Sequence, residues 1–196
     1  MTDREIKPWK RLQTEEGPDL KLFRVRFHWA ENPRNGERLK RLVLEGRDWV
    51  NVVPVTPEGK VVMVRQFRSG TGSITTEIPG GVVDPGETPQ AAAARELAEE
   101  TGYKSARWTC LGPVEPNPAF QSNLCHQWLA EGALPSGVPQ PDPGEDLAVV
   151  ELTVEELKGE IREGRLRHAL ALSALSRVFH LFEDLDDFGF SRESDP

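Results

Sequence analysis

The sequence predicts an α+β fold in which helices pack against a mixed β-sheet. Two observations lead to this prediction. Short segments that are apolar, or that alternate apolar with polar residues, recur along the chain and are typical of strands. Three longer segments, one central and two near the C-terminus, instead have the spacing and capping residues of helices.

An antiparallel β-sheet extension is predicted at the N-terminus. Apolar and polar residues alternate over residues 23–29, which indicates a half-buried strand. Asn35-Gly36 is a strong hairpin signal, and the alternation resumes from there to Glu45.

The strands of the main sheet follow. Residues 49–55 and 60–66 are predicted strands on either side of a turn at residues 57–59. Residues 75–78 are predicted to form a short strand that enters a glycine loop. Three more strands are predicted beyond the central helix, at residues 106–111, 123–130 and 147–152.

The central helix is predicted between Thr88 and Gly102. Thr88 is a good N-cap, Pro89 suits the first turn, and Gly102 suits the residue just past the helix end. The alanines at 91–94 and Leu97 are strong helix formers.

This helix has one acidic side. Glu96, Glu99 and Glu100 fall within an arc of about 100° when the helix is drawn in projection. The residues predicted to pack inward lie opposite them: Ala91, Ala94, Leu97, Ala98 and Thr101.

The three glutamates repel one another. Glu96 and Glu100 are a like-charge pair at i and i+4, and only Arg95, four residues before Glu99, offers local relief. Carboxylates held this close favour a hard cation such as Mg²⁺, Mn²⁺ or Ca²⁺. A solvated acidic helix face is the alternative, and the three glutamates alone leave it open.

Two helices are predicted near the C-terminus. Thr153 and Glu156 form a capping box that opens a helix to about Arg162. Residues 166–181 form a second helix, whose apolar stripe is more typical of a core than of a cofactor site. Residues 183–196 are predicted to be a flexible acidic tail.

The composition predicts a soluble globular protein. The chain has 196 residues, of which 37% are hydrophobic and 29% charged, and this length fits a single core. No apolar run approaches the roughly 20 residues of a membrane helix, and the polar start lacks the apolar segment of a signal peptide. Cys110 and Cys125 are expected to be reduced, so a cytoplasmic location without a membrane partner is predicted.

The net charge of −8 argues against a nucleic acid as partner, because a polyanion is gripped through a basic field. A small anionic substrate remains compatible with it, since bound divalent cations invert the local sign of charge.

Residues 81–103 resemble the Nudix box. Gly81 is followed after five residues by Glu87, and after seven more by Arg95-Glu96-Leu97, with Glu99, Glu100 and Gly102 in their usual places. Tyr103 departs from the pattern, where an aliphatic residue is more usual. The resemblance implies an α/β/α sandwich and a Nudix hydrolase, in which a metal assists the attack of water on a diphosphate linked to another moiety.

The flanking residues resemble the ADP-ribose pyrophosphatase and nucleoside diphosphate sugar branch of that family. The similar segments are residues 48–53, 64–68 and 77–81, and Pro118 lies about where the branch has a proline. This implies cleavage of ADP-ribose or another nucleoside diphosphate sugar to a nucleoside monophosphate and a sugar phosphate.

The resemblance also implies roles for individual residues. The expected ligands of Mg²⁺, or of Mn²⁺, are the Gly80 carbonyl, Glu96, Glu99, Glu100 and Glu145. The expected catalytic residues are Glu145 as general base, Glu99 and Arg95. The expected substrate-binding residues are Arg65, Arg68, Glu77 and Pro118.

Some of these residues have ordinary alternative roles. Arg68 could form a surface ion pair, Glu77 could pair with a nearby base, and Glu145 could belong to a plain solvent loop.

The resemblance further implies three segments: an N-terminal β extension at residues 1–48 that takes part in dimerisation, a Nudix domain at 49–182, and the tail. A homodimer is expected. The aromatic residues that could supply its surface, or equally the monomer core, are Trp9, Phe23, Phe27 and Trp29.

Other functions remain as alternatives. One is hydrolysis of dinucleoside polyphosphates, coenzyme A or damaged nucleotides. The other is a non-catalytic module that senses nucleotides, although no DNA-binding extension accompanies the box.

Overall fold

A computed structural model describes residues 5–182, and the predicted tail at 183–196 lies outside them. The chain divides into two compact units. The first contains the described residues up to Asp48 together with Glu115–Leu124. The second contains Trp49–Val114 and the described residues from Cys125 onwards.

The first unit is built on a three-stranded antiparallel sheet, which confirms the N-terminal extension. Its strands, in spatial order, are β1 (Lys10–Asp19), β2 (Phe23–Glu31) and β3 (Arg38–Gly46). The hairpin predicted at Asn35-Gly36 connects β2 to β3, and Gly36 has φ 71°. Strand β1 was not predicted, because it is mostly polar and exposed and irregularities interrupt its register with β2.

The second unit contains a seven-stranded mixed sheet. Its strands are β4 (Trp49–Val55), β5 (Val61–Arg68), β6 (Ser73–Glu77), β7 (Gly80–Val82), β9 (Arg107–Val114), β10 (Cys125–Glu131) and β12 (Leu147–Leu152). The order is β12-β5-β4-β10-β9, with β6 on β5 and β7 on β4, and the β4–β10 pair is parallel. Two short strands, β8 (Tyr103–Lys104) and β11 (Leu134–Pro135), form a separate pair.

Helices cover both faces of this sheet. Val52 packs with helix α1 (Pro89–Thr101), whereas its neighbour Val53 packs with α2 (Val154–Arg162) and α3 (Ala169–Ser176). Because successive strand residues point to opposite faces, these helices form the two outer layers of an α/β/α sandwich. The predicted fold class is confirmed.

Both α1 and α2 begin where their capping residues predict. Thr88 accepts a hydrogen bond from the Ala91 amide, and Thr153 and Glu156 form the reciprocal capping box. The last helix is shorter than predicted, because Leu166 is buried before the helix starts and His168 is its N-cap. Within residues 5–182, no helix is long and apolar enough to cross a membrane.

Candidate active site

The glycine pair before α1 lies in a strand, where the sequence had predicted a loop. Residues Gly80–Val82 form β7, which pairs with the first half of β4, while β4 meets β5 only at its far end. A Cβ on Gly80 would lie 2.2 Å from the Val50 carbonyl oxygen, and one on Gly81 would lie 2.2 Å from Oε1 of Glu96. Glycine therefore lets the backbone pass close to β4 on one side and to a carboxylate on the other.

The packed side of α1 differs from the one predicted. Ala92, Ala93, Leu97 and Thr101 are buried with Glu100, whereas Ala91 is exposed. The prediction that Ala91 packs inward was wrong, because the helix is turned so that Glu100 faces the glycine strand. The acidic residues therefore lie at the edge of the packed face and not opposite it.

Glu100 is the most enclosed of the three glutamates on α1, with 4% of its surface exposed. Its Oε2 accepts a hydrogen bond of 2.9 Å from the Gly80 amide. Burial, followed by the charges of Glu96 and Glu145, raises the pKa of Glu100 to about 8, although the Gly80 hydrogen bond opposes this rise. Without a cation, Glu100 therefore keeps its proton to a higher pH than an ordinary glutamate does.

Arg95 organises the other acidic residues. Its Nε and Nη2 donate to the two oxygens of Glu87 at 3.1 and 3.0 Å. Its Nη1 donates to Glu96 at 2.8 Å and to Glu99 at 3.0 Å, and Nη2 also reaches the Val82 carbonyl at 3.0 Å. The hydrogen bonds that Arg95 donates to Glu87, Glu96 and Glu99 raise its pKa against the effect of burial. This guanidinium ties the helix to the glycine strand.

Glu145 lies in a loop, yet its charge acts on the acidic residues of α1. Its amide and carboxylate close a turn with the backbone of Asp142, at 2.8 and 3.2 Å. After burial, the largest cause, the Glu145 charge contributes to raising the pKa of both Glu96 and Glu100. The structure thus brings Glu145 within electrostatic reach of the predicted metal ligands.

Arg68 and Glu77 form a two-pronged ion pair. Nε and Nη2 of Arg68 donate to Oε1 and Oε2 of Glu77, both at 2.8 Å, and Thr75 Oγ1 adds a hydrogen bond of 2.6 Å to Oε1. The Glu77 hydrogen bond, and then the charges of Glu100 and Glu145, raise the pKa of Arg68 against burial. Arg68 is therefore paired with Glu77 and is also close enough to Glu100 and Glu145 for their charges to affect its pKa.

Arg65 lies elsewhere, because it precedes Arg68 by three residues in a strand and so points to the other face. Its Nη2 contacts Oε1 of Glu160 on α2 at 3.0 Å. Thr76 and Arg165 bind the same buried carboxylate at 2.6 and 2.9 Å. This network anchors α2 to β5 and β6, which accounts for Arg65 without a ligand.

Two further predicted residues have been placed. Pro118 lies in an exposed turn of the first unit, whereas the acidic cluster belongs to the second. Tyr103, the departure from the box, lies in β8 and donates its hydroxyl to Glu151 at 2.6 Å.

His168 was not singled out in the sequence, although its Nδ1 lies 3.1 Å from Oε2 of Glu77. No local signal would have found it, because the contact depends on the path of the chain between α2 and α3. Only the fold brings residues 77 and 168 together.

The acidic cluster suits a hard divalent cation. No three His, Cys, Asp or Glu side chains in the described part of the chain are already placed to ligate a metal. Glu96 and Glu99 are instead held by Arg95, and Glu100 by the Gly80 amide. The donors are nonetheless carboxylate oxygens gathered around the buried Glu100, and such oxygens are the ligands that Mg²⁺ or Mn²⁺ prefers.

A mixed sheet between helical layers, with paired glycines facing an acidic helix, defines an enzyme class, and comparison with known proteins agrees. The NUDIX domain family model matches residues 47–173. The chain belongs to the Nudix hydrolase family.

Individual relatives are similar over much of their length. The methanol dehydrogenase activator of Bacillus methanolicus is 32% identical, over 80% of this chain and 85% of the relative. The ADP-ribose pyrophosphatase of Bacillus subtilis (strain 168) is 37% identical, over 62% of this chain and 66% of the relative. A crystal structure of an ADP compounds hydrolase superposes with a TM-score of 0.78 at 26% identity, covering 90% of this chain and 95% of that one.

Proposed function

We propose that this protein is a metal-dependent pyrophosphohydrolase of ADP-ribose or another nucleoside diphosphate sugar. The products are a nucleoside monophosphate and a sugar phosphate. The observation that carries the proposal is the gathering of Glu96, Glu99 and Glu100 on the side of α1 next to β7. Arg68 lies close enough for the charge of Glu100 to raise its pKa. The names of relatives that act on ADP-ribose or on ADP compounds support the choice of substrate.

The cation, Mg²⁺ or Mn²⁺, would be held by the Gly80 carbonyl, Glu96, Glu99, Glu100 and Glu145. When bound, it neutralises the diphosphate and acidifies water. Arg95 holds Glu96 and Glu99 close to β7, because it donates to both carboxylates and to the Val82 carbonyl. Because Gly81 has no Cβ, the Glu96 carboxylate can lie directly against the backbone of β7.

The remaining residues bind substrate and move a proton. Arg68 binds a phosphate or terminal sugar oxygen, and Glu77 orients it. Glu145 takes a proton from water as the water oxygen forms a bond to one phosphorus. The bond from that phosphorus to the bridging oxygen breaks, and the bridging oxygen leaves with the electron pair on the second phosphate.

Hydrolysis of a small panel tests the proposal. ADP-ribose, ADP-glucose, GDP-mannose, UDP-glucose, a diadenosine polyphosphate and NADH are each incubated with Mg²⁺ or with EDTA, and a phosphatase reveals newly exposed monophosphates. We expect Mg²⁺-dependent release from a nucleotide sugar. Preferred cleavage of the diadenosine compound would move the protein to another Nudix activity, and binding without turnover would indicate a sensing module.

Replacing Glu145 by glutamine is expected to lower kcat by about 10²-fold, the usual effect of losing a general base, with KM changed by less than about twofold. Glutamine keeps an oxygen for the Asp142 amide. Steady-state kinetics on the best substrate of the panel measures both constants. Asp142→Asn is the control, because its backbone contacts stay; an unchanged kcat in Glu145→Gln would assign the base to the box.

Replacing Gly81 by alanine is expected to lower kcat/KM by about 10- to 100-fold with little loss of stability. The atoms nearest to the new Cβ belong to the end of the Glu96 side chain, whose oxygens lie at 2.2 and 2.7 Å, so the change should displace a predicted ligand and leave the backbone in place. In a Glu96→Ala background the same change should have no further effect. A full second loss there would show that Gly81 acts in another way.

We also propose a homodimer formed through the N-terminal β extension. The first unit exposes large apolar side chains, including Ile6 at 87% and both Leu20 and Leu22 at 55%. Among the aromatic residues of the extension, Trp9 is exposed. Phe27 is half-buried, and Lys40 Nζ lies 4.5 Å from the centre of its ring. Sedimentation equilibrium would give the mass of a dimer. Cys110 and Cys125 are not joined in a disulfide, which suits the cytoplasm.

A further inference from the structure

The segment that joins α2 to α3 runs along the outer edge of β6. The Thr76 amide donates to the Arg165 carbonyl at 3.0 Å, and Arg167 Nη2 donates to Ser73 Oγ at 3.2 Å. The segment ends at His168, the N-cap residue of α3. The position of His168 is therefore fixed from two sides: the residues before it bind to β6, and the residues after it form α3.

His168 reaches a carboxylate that is already committed to Arg68. Glu77 has a side chain only 5% exposed, and its Oε2 receives Arg68 Nη2 at 2.8 Å and faces His168 Nδ1 at 3.1 Å. That nitrogen is buried, is not aligned for a regular hydrogen bond, and has no other partner among residues 5–182. Glu77 thus lies between Arg68 and His168, two residues that are far apart in the sequence.

The contacts act against the cost of burying Glu77. Burial raises the pKa of Glu77, but the hydrogen bonds from Arg68, the nearby His168 and the hydrogen bond from Thr75 outweigh it and hold the pKa well below its ordinary value. The carboxylate therefore stays charged and needs its partners. A buried anion that lost one of them would draw more heavily on the other.

The charge of Glu77 affects Arg68, which is also proposed to bind the substrate. A carboxylate that grips a guanidinium by two bonds offsets much of its charge and competes with any incoming phosphate. His168 is a second partner of Oε2 and offsets part of the charge of Glu77. Nη1 of Arg68, which makes no hydrogen bond to the described residues, then stays oriented and available to a substrate oxygen.

We propose that His168 is a positioning residue for substrate binding, acting through Glu77 to hold Arg68 in its binding orientation. This inference rests on the proposed function, since it assigns Arg68 to the phosphate or terminal sugar of a nucleoside diphosphate sugar. It requires no contact between His168 and the substrate.

A double-mutant cycle tests the relay. His168→Ala is expected to raise KM about tenfold while kcat changes by less than about twofold, because ground-state binding is what Arg68 supplies. Arg68→Ala should raise KM at least as much. The double variant should be no worse than Arg68→Ala alone, and Arg167→Gln, in the same segment but in contact with Ser73, should behave as wild type.

His168→Asn separates positioning from general damage. Its amide nitrogen lies near the place of Nδ1 and can donate to Glu77, so it should restore most of the KM lost in His168→Ala. The melting temperature of every variant is measured alongside, and should His168→Ala fail to fold, His168→Gln, which places its amide farther from Glu77, takes its place in the cycle.

The outcomes are distinct. Multiplicative effects of His168 and Arg68 on KM, an asparagine variant as impaired as alanine, or an unchanged His168→Ala would each overturn the relay. A wild-type protein that hydrolyses no substrate of the panel would instead overturn the proposed function. An active wild-type protein whose KM is unchanged by His168→Ala would leave the proposed function in place and remove only this inference.

Discussion

Replacing Glu100 by glutamine is expected to reduce Mg²⁺-dependent turnover by about 10³-fold or more while the protein stays folded. Glutamine matches glutamate in shape, and its side-chain oxygen can keep the 2.9 Å hydrogen bond from the Gly80 amide. What it removes is the negative charge that a hard cation needs at the most enclosed point of the cluster. Turnover with Mg²⁺ and the melting temperature, each measured for both proteins, check the two halves of this expectation.

The metal-free proteins provide the control for this substitution. A carboxyl group whose folded pKa of about 8 exceeds its unfolded value binds more protons in the native state, so stability falls as pH rises between about 4.5 and 8. Glu100→Gln removes that penalty. In EDTA its free energy of unfolding should therefore decline less than that of wild type across this range. Full activity in this variant would remove Glu100 from the site.

Addition of Mg²⁺ should distinguish the two proteins in the opposite sense. A cation that binds the native state raises its stability in proportion to RT ln(1 + [Mg²⁺]/Kd). We expect wild type to gain melting temperature with Mg²⁺ and Glu100→Gln to gain much less. An equal gain in both would place the cation elsewhere.

The features predicted correctly from the sequence depend on local chemistry. Thr88, Pro89 and Gly102 set the ends of α1 because capping and a left-handed C-terminal residue, here with φ 73°, are decided within a few residues. The same holds for the capping box at Thr153 and Glu156. Short apolar strands were located as well, since burial on both faces leaves a continuous apolar run.

The features that were missed depend on contacts distant in sequence. A helical projection groups Glu96, Glu99 and Glu100, but it does not show that the Gly80 amide, twenty residues earlier, draws Glu100 into the packed face. The sequence predicts a loop at Gly80–Val82, because three residues carry too little pattern to indicate a strand, and only the pairing with β4 defines β7.

The different locations of Arg65 and Arg68 could have been predicted from the sequence. Arg65 and Arg68 were both expected to bind substrate, yet an odd spacing in a strand sends them to opposite faces. The structure places Arg68 beside Glu77 and Arg65 beside Glu160. The period of a strand, applied to Val61–Arg68, would have assigned at most one of them to a given site.

Arg95 explains how a helix with so much negative charge folds before a cation arrives. One guanidinium makes hydrogen bonds to three carboxylates and to the Val82 carbonyl. These bonds offset the repulsion between neighbouring glutamates and fix the register of α1 against β7. The structural and chemical demands on the site therefore meet in the same side chain.

Replacing Gly80 by alanine is expected to destabilise the fold by roughly 3 kcal/mol, the upper part of the usual range for overpacking. The added Cβ would lie 2.2 Å from the Val50 carbonyl oxygen and 2.5 Å from Nδ2 of Asn51. The first of these is backbone of β4, whose Val50 side chain is 1% exposed in the core beside α1, so it has little room to move. Urea denaturation monitored by circular dichroism measures the loss.

Gly70→Ala is the matched control for this prediction, because its Cβ would meet no atom within 4 Å, and its stability should stay within about 0.5 kcal/mol of wild type. Gly80→Ala should lose activity only to the extent that it unfolds β7, whereas Gly81→Ala should lose activity while folded. A Gly80 variant as stable as the Gly70 control would show that β4 and β7 can separate, and would refute the close approach as the reason for glycine there. The two adjacent glycines thus carry different demands, since the first accommodates a strand and the second a carboxylate.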